Sequence, residues 1–148
     1  MAGFNKLEVA TIIAAVAAWA KQQPEICGVA LVGSWARNRT HENSDLDLML
    51  LATNPELFFR DTNWFNKLDW QKLNLQTSKY YDRIYGVVRS RHLCFTGGQR
   101  IEFTFGYRSW ANINPIDPGT SIVVSSGIKI LYDPDNLFNA LVSASKHK

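Results

Sequence analysis

Cysteine is nearly absent: the 148 residues hold two, Cys27 and Cys94, each inside an apolar run. That excludes a disulfide scaffold and a cysteine-built metal site, and predicts two buried thiols in a reducing cytoplasm. An excess of one charge is missing too, since sixteen Lys and Arg face thirteen Asp and Glu for a net +3. This is too small to argue by itself for nucleic acid or an anionic membrane. Long hydrophobic runs are also missing. The most apolar stretch, Val9 to Ala20, is well short of the roughly 20 residues that cross a bilayer. It lacks a signal peptide's basic flank, because Glu8 offsets Lys6. The three histidines, His41, His92 and His147, have no ligand spacing with the cysteines, which argues against zinc. What remains is ordinary globular composition, 46% hydrophobic and 20% charged, in a length that predicts one domain over residues 1–148.

Hydrophobic spacing predicts an α/β (α+β) fold, a mixed sheet packed with helices. Val9, Ile13, Val16 and Ala20 recur at helical intervals beside Ile12 and Trp19, giving a stripe that presses onto a sheet. Ile26 to Val32 reads as a buried strand closed by Gly33-Ser34. Ser44 to Leu51 reads as a second strand, continuously apolar after Asp47 and so covered on both faces. Asn54-Pro55-Glu56 has the form of a capped helix start, predicting a helical region to about Leu73. Its aromatic load of Phe58, Phe59, Trp64, Phe65 and Trp70, with Leu57 and Leu68, reads as core before partner face. Tyr85 to Thr96 and Gln99 to Phe105 flank Gly97-Gly98, a two-residue hairpin turn. Ile128 to Tyr132 predicts a last strand, and Leu137, Phe138, Leu141 and Val142 a short amphipathic helix.

Chemistry enters at Asp45-Leu46-Asp47. Strand side chains alternate faces, so both carboxylates leave the sheet on one side, about 7 Å apart along the chain. Acids that close repel, and a divalent cation bound by both removes the penalty. Upstream, Gly33-Ser34 begins a turn into Trp35-Ala36-Arg37, with Ser34 near a helix cap and Arg37 and Arg39 at the same edge, an arrangement that suits an anion. It is no Walker A motif, dinucleotide fingerprint or nucleophile elbow. In Arg100 to Phe105 the apolar Ile101, Phe103 and Phe105 alternate with Arg100, Glu102 and Thr104, placing Glu102 on the polar face. If that strand lies beside Ser44 to Leu51, three carboxylates converge.

Gly33-Ser34-Trp35-Ala36-Arg37 followed by Ser44-Asp45-Leu46-Asp47-Leu48 resembles the signature of the DNA polymerase beta-like nucleotidyltransferases, especially minimal nucleotidyltransferases and aminoglycoside nucleotidyltransferases. Asn38 stands where such loops commonly carry glycine. The resemblance implies transfer of a nucleotidyl group, most simply AMP, from a nucleoside triphosphate to a hydroxyl, with two Mg²⁺ ions as cofactor. By the same resemblance Asp45, Asp47 and Glu102 are the catalytic and metal-binding acids, Glu102 also helping to activate the acceptor. Gly33, Ser34, Arg37 and Ser44 belong to the nucleotide. With the chain ending at Lys148, a homodimer or a separate helical partner is expected to complete the acceptor side and to present the side-chain hydroxyl that receives the nucleotide, as for minimal members that act as antitoxins. The alternatives are an antibiotic-modifying enzyme and a catalytically silent partner-binding subunit. An RNA-binding face is a weaker one, built on Arg83, Arg89, Arg91 and His92 near Tyr80, Tyr81 and Tyr85.

Overall fold

The structure is a computed structural model that describes residues 3–37, 45–61 and 64–146. Helix α1, Lys6–Lys21, starts at a capping box in which Asn5 accepts from the Glu8 amide and Glu8 accepts from that of Asn5. Val9, Ile12, Val16, Trp19 and Ala20 are its buried stripe. The strands are β1 (Ile26–Val32), β2 (Leu46–Ala52), β3 (Thr77–Tyr85), β4 (Val88–Phe95), β5 (Arg100–Tyr107) and β6 (Lys129–Tyr132). They form one sheet ordered β3-β4-β5-β2-β1-β6. Only β2 and β5 run parallel; the other pairs are antiparallel.

Both faces of the sheet are used. Leu46, Leu48, Leu50, Ile101, Phe103 and Phe105 turn to one side, where α1 and the aromatic segment pack. Met49 and Leu51 turn to the other, against Trp110, Phe138 and Leu141. Leu48 to Leu51 are all buried, as expected of a strand covered on both sides. That second face is apolar only in part. Toward the starts of β2 and β5, and across β4 and β3, it is polar, and the candidate site lies there. Cys27 and Cys94 are buried free thiols, and among the described residues no helix is long and apolar enough to cross a membrane.

The segment after β2 departs from the single helical region predicted. Helix α3 covers only Leu57–Arg60, its cap residue is Glu56 with no side-chain cap, and isolated 3-10 turns follow at Trp64–Lys67 and Gln71–Leu73. The aromatic residues explain the break. Phe58 and Phe59 are adjacent and both buried, as are Trp64 and Phe65, and a regular helix cannot turn so many neighbours inward at once. The carbonyls released from helical bonding find other donors: the Trp64 indole reaches Phe58 at 2.6 Å, and the Trp70 indole reaches Phe65 at 2.8 Å. Phe58, Phe59, Trp64, Phe65, Leu68 and Trp70 are therefore core, and only Leu57 of the group is exposed.

Strand β3 and helix α4 (Pro118–Ser126) are additions to the sequence expectation. Helix α4 carries an ordinary start signal, with Asp117 accepting from the Thr120 amide and Pro118 in the first turn. The last helix, α5 (Leu137–Lys146), follows β6 as expected.

Candidate active site

Parallel pairing of β2 with β5 sets Asp47 directly beside Glu102. The two side chains share a hydrogen bond. Burial, then the charge of Glu102, the hydrogen bond to Glu102 and the charge of Asp45 push Asp47 up to about 8, with Arg37 opposing. The ordinary value is 3.8. A carboxyl held this far up reports burial of one acid beside another.

Asp45 lies one step outside β2 and is engaged differently. Its carboxylate accepts from the Arg100 guanidinium at 3.1 Å. Arg100 is thereby held further above its ordinary range, chiefly by the charge of Asp45. Asp47 and Glu102 are thus brought together, while Asp45 turns to the neighbouring cation. Among the described residues no group of three or more His, Cys, Asp and Glu is gathered closely enough to hold a metal ion.

The glycine-serine turn closes on the same acids. Helix α2, Gly33–Ala36, is a single turn whose cap residue is Val32, without a side-chain cap. Ser34 therefore lies within the turn and not at its cap, because Gly33 already has begun it. Gly33 has φ +75, and a Cβ there would collide with Asp47 Oδ2. Only glycine lets this backbone rest on that carboxylate. Arg37 follows at the turn's end, exposed and near enough to Asp47 to oppose its raised pKa. Its Cγ would meet a Cβ added at Gly127 at 2.8 Å, so a second glycine lets the arginine stem lie flat against the start of β6. Ser44, Arg39, Asn38 and His41 lie outside the described residues.

Three site neighbours escaped the sequence reading. His92 Nε2 is 3.2 Å from Glu102 Oε2 and 3.4 Å from the Tyr85 hydroxyl. The Tyr81 ring stacks on His92 at 4.5 Å with 9° between planes. Arg100 touches both Asp45 and Tyr81. The length of the β4–β5 loop decides what His92 faces. A two-residue turn at Gly97-Gly98 would pair Thr96 with Gln99 and set His92 opposite Phe103. The loop instead has three residues, 96–98, between the bonded Phe95 and Gln99, and His92 pairs with Glu102. Gly98 at φ +90 supplies the positive φ that such a loop needs.

The basic and aromatic residues offered for an RNA face separate in the structure. Arg91 is 1% exposed, forks onto both Asp82 oxygens at 2.9 and 3.0 Å, and donates to the carbonyls of Phe58, Phe59 and Asp61. Arg89 lies over the Phe59 ring and reaches Glu56 at 3.6 Å. Both arginines serve the aromatic core, which accounts for two of the four basic groups of that reading. A cavity of about 810 Å³ opens between Asn66, Trp70, Asn74 and Thr77, with Asp45, Asp47 and Glu102 all outside its lining. Its position makes it a gap beside the broken helical segment.

A family model described as streptomycin adenylyltransferase matches residues 8–148. The chain belongs to that family. It is a nucleotidyltransferase family protein. No curated protein sequence matches. Among solved structures, a nucleotidyltransferase-like protein from Exiguobacterium sibiricum 255-15 is similar, with 16% identity and a TM-score of 0.43, over 95% of this chain and 38% of that one. A CCA-adding enzyme is similar with 13% identity and a TM-score of 0.46, over 94% of this chain and 32% of that one. The chain thus spans about a third of the length of each.

Proposed function

We propose that the protein transfers a nucleotidyl group, most simply AMP from ATP, to a hydroxyl of a small acceptor molecule, the new P–O bond forming as the bond to pyrophosphate breaks. The observation that carries this is the pairing of Asp47 with Glu102 under the glycine-serine turn, in a chain of the streptomycin adenylyltransferase family. The acids suit hard cations: they are oxygen donors, and burial first and the neighbouring Glu102 next favour the protonated form of Asp47 while no cation is bound. Asp47 and Glu102, with Asp45 next to them, would hold Mg²⁺, which when bound would supply charge neutralisation at the reacting phosphoryl group.

The chain's own groups then have distinct tasks. The α2 turn offers backbone amides and Arg37 to the phosphates. Glu102, braced by His92, takes the proton of the attacking hydroxyl. The Tyr81 ring stacked on His92 fixes the direction from which His92 meets Glu102.

The family model's name favours a small molecule as acceptor. A side-chain hydroxyl on a second copy or a helical partner is the competing outcome. Incubation with Mg²⁺, labelled ATP and cell extract separates the two, because label enters either the small-molecule or the protein fraction. Asp47→Asn should abolish transfer. Glu102→Gln should keep much of the nucleotide binding and lose transfer by roughly 10² to 10⁴. Equal, small effects of both changes would show that these are surface acids only.

A further inference from the structure

We infer that the acceptor is a negatively charged hydroxyl compound, held over β3, β4 and β5 by Arg83 and Arg100 with Lys79 beside them. This deepens the nucleotidyl transfer proposed above and rests on it. The argument begins with the placement of the phosphates. The α2 turn packs against β1 and β2, and its Gly33 backbone rests on Asp47. Attacking and leaving oxygens stand in line across the transferred phosphorus. With the phosphates on the β1 flank of Asp47, the hydroxyl must approach from the β5 flank. On that side the sheet continues through β5 and β4 to β3.

Strand alternation decides what the acceptor meets there. Lys79, Tyr81, Arg83 and Tyr85 of β3 share the face that His92 of β4 and Arg100 and Glu102 of β5 occupy, given the pairing of Tyr81 with His92 and of His92 with Glu102. Glu102 is the lone carboxylate these three strands place on it. Asp82 points to the opposite face and is taken by Arg91. Arg83 is exposed, its guanidinium 5.3 Å from the Tyr81 ring centre. Arg100 remains 46% exposed despite its bond to Asp45. Through Tyr81 and His92 these cations are tied to Glu102 by ring stacking and one polar contact. They sit in a fixed relation to the group that takes the hydroxyl's proton.

A polycationic aminoglycoside would meet like charge on this face. A phosphate or carboxylate would meet guanidinium forks that match it. Selectivity is a difference between affinities, and repulsion of the wrong charge contributes as much as attraction of the right one.

The test uses one scaffold in three charge states: glucose 6-phosphate, glucose and glucosamine, titrated into the protein loaded with Mg²⁺ and a non-hydrolysable ATP analogue. Glucose 6-phosphate should bind at least tenfold more tightly than glucosamine, with the advantage shrinking as salt rises. Lys79→Glu with Arg83→Glu should remove that tenfold. Equal binding of the three, no binding of any, or preference for glucosamine overturns the inference while nucleotide binding still stands. Failure of the ATP analogue itself to bind with Mg²⁺ instead sinks the transferase reading, and the inference with it.

Discussion

Asp47 should make the metal-free protein less stable as pH rises, and its removal should be stabilising where it is most damaging to function. Its carboxyl is held protonated in the fold, pushed up to about 8 from 3.8 by burial first and by Glu102 next. A raised folded-state value means that the folded chain keeps a proton the unfolded chain has lost. The associated stability is complete below about pH 3.8 and is lost progressively as pH climbs through about 8. Each pH unit inside that window costs up to ~1.4 kcal/mol. From pH 5 to pH 8 the loss is therefore about 4 kcal/mol, a large share of the 5–15 kcal/mol typical of a domain. Asp47→Asn keeps the size of the side chain and a donor toward Glu102 but has no charge to develop. Urea unfolding at fixed ionic strength, without metal and at half-unit steps from pH 5 to pH 8.5, measures the difference. The variant should match the native chain near pH 5 and exceed it by about 3 to 4 kcal/mol at pH 8. Millimolar Mg²⁺ should raise the native chain at pH 8 and leave the variant unmoved. Parallel profiles for the two chains would refute the argument, because Asp47 would then be an ordinary surface acid.

Other outcomes follow from particular contacts. ATP with Mg²⁺ at a hundredfold excess over its dissociation constant should stabilise by about 2.7 kcal/mol, a melting rise of roughly 5 to 10 °C, and ATP with chelator should do far less. Gly33→Ala places a methyl on Asp47 in a left-handed backbone. It should cost about 1 to 2 kcal/mol from conformation alone and weaken Mg·ATP binding more than tenfold in a calorimetric titration. Arg91→Ala strips the fork from Asp82 and the donors from the Phe58 and Phe59 carbonyls. Denaturant unfolding should show a loss of about 3 to 5 kcal/mol, little of it recovered by Arg91→Lys, which lacks the planar fork.

Much of the architecture was legible because periodicity and burial agree. The helical stripe on α1 and the unbroken apolar run of β2 each have one physical solution. The segment after β2 did not, because its start signals favour a helix while its adjacent aromatic pairs demand burial on more than one side. Burial won, since Trp64, Trp70 and Arg91 supply donors for the carbonyls that a continuous helix would have used. Strand β3 was hidden by its exposure. It is an edge strand with little buried surface, and a sequence reading that weighs apolar alternation gives such a strand almost no signal.

The site shows the same division at the scale of single residues. Asp47 and Glu102 are placed by a parallel pairing between distant strands, and the alternation in each strand already put both on a polar face. What alternation cannot supply is register. A loop one residue longer than the Gly97-Gly98 pair exchanges Phe103 for Glu102 as the partner of His92. That one residue decides whether His92 faces the aromatic core or braces the carboxylate. Arg91 shows the converse, because its neighbours in sequence read as a basic surface and its strand parity sends it into the core. Basic residues one position apart on β4 therefore have opposite uses: Arg91, facing the core, holds the aromatic segment in place, and His92, facing the acids, contacts Glu102.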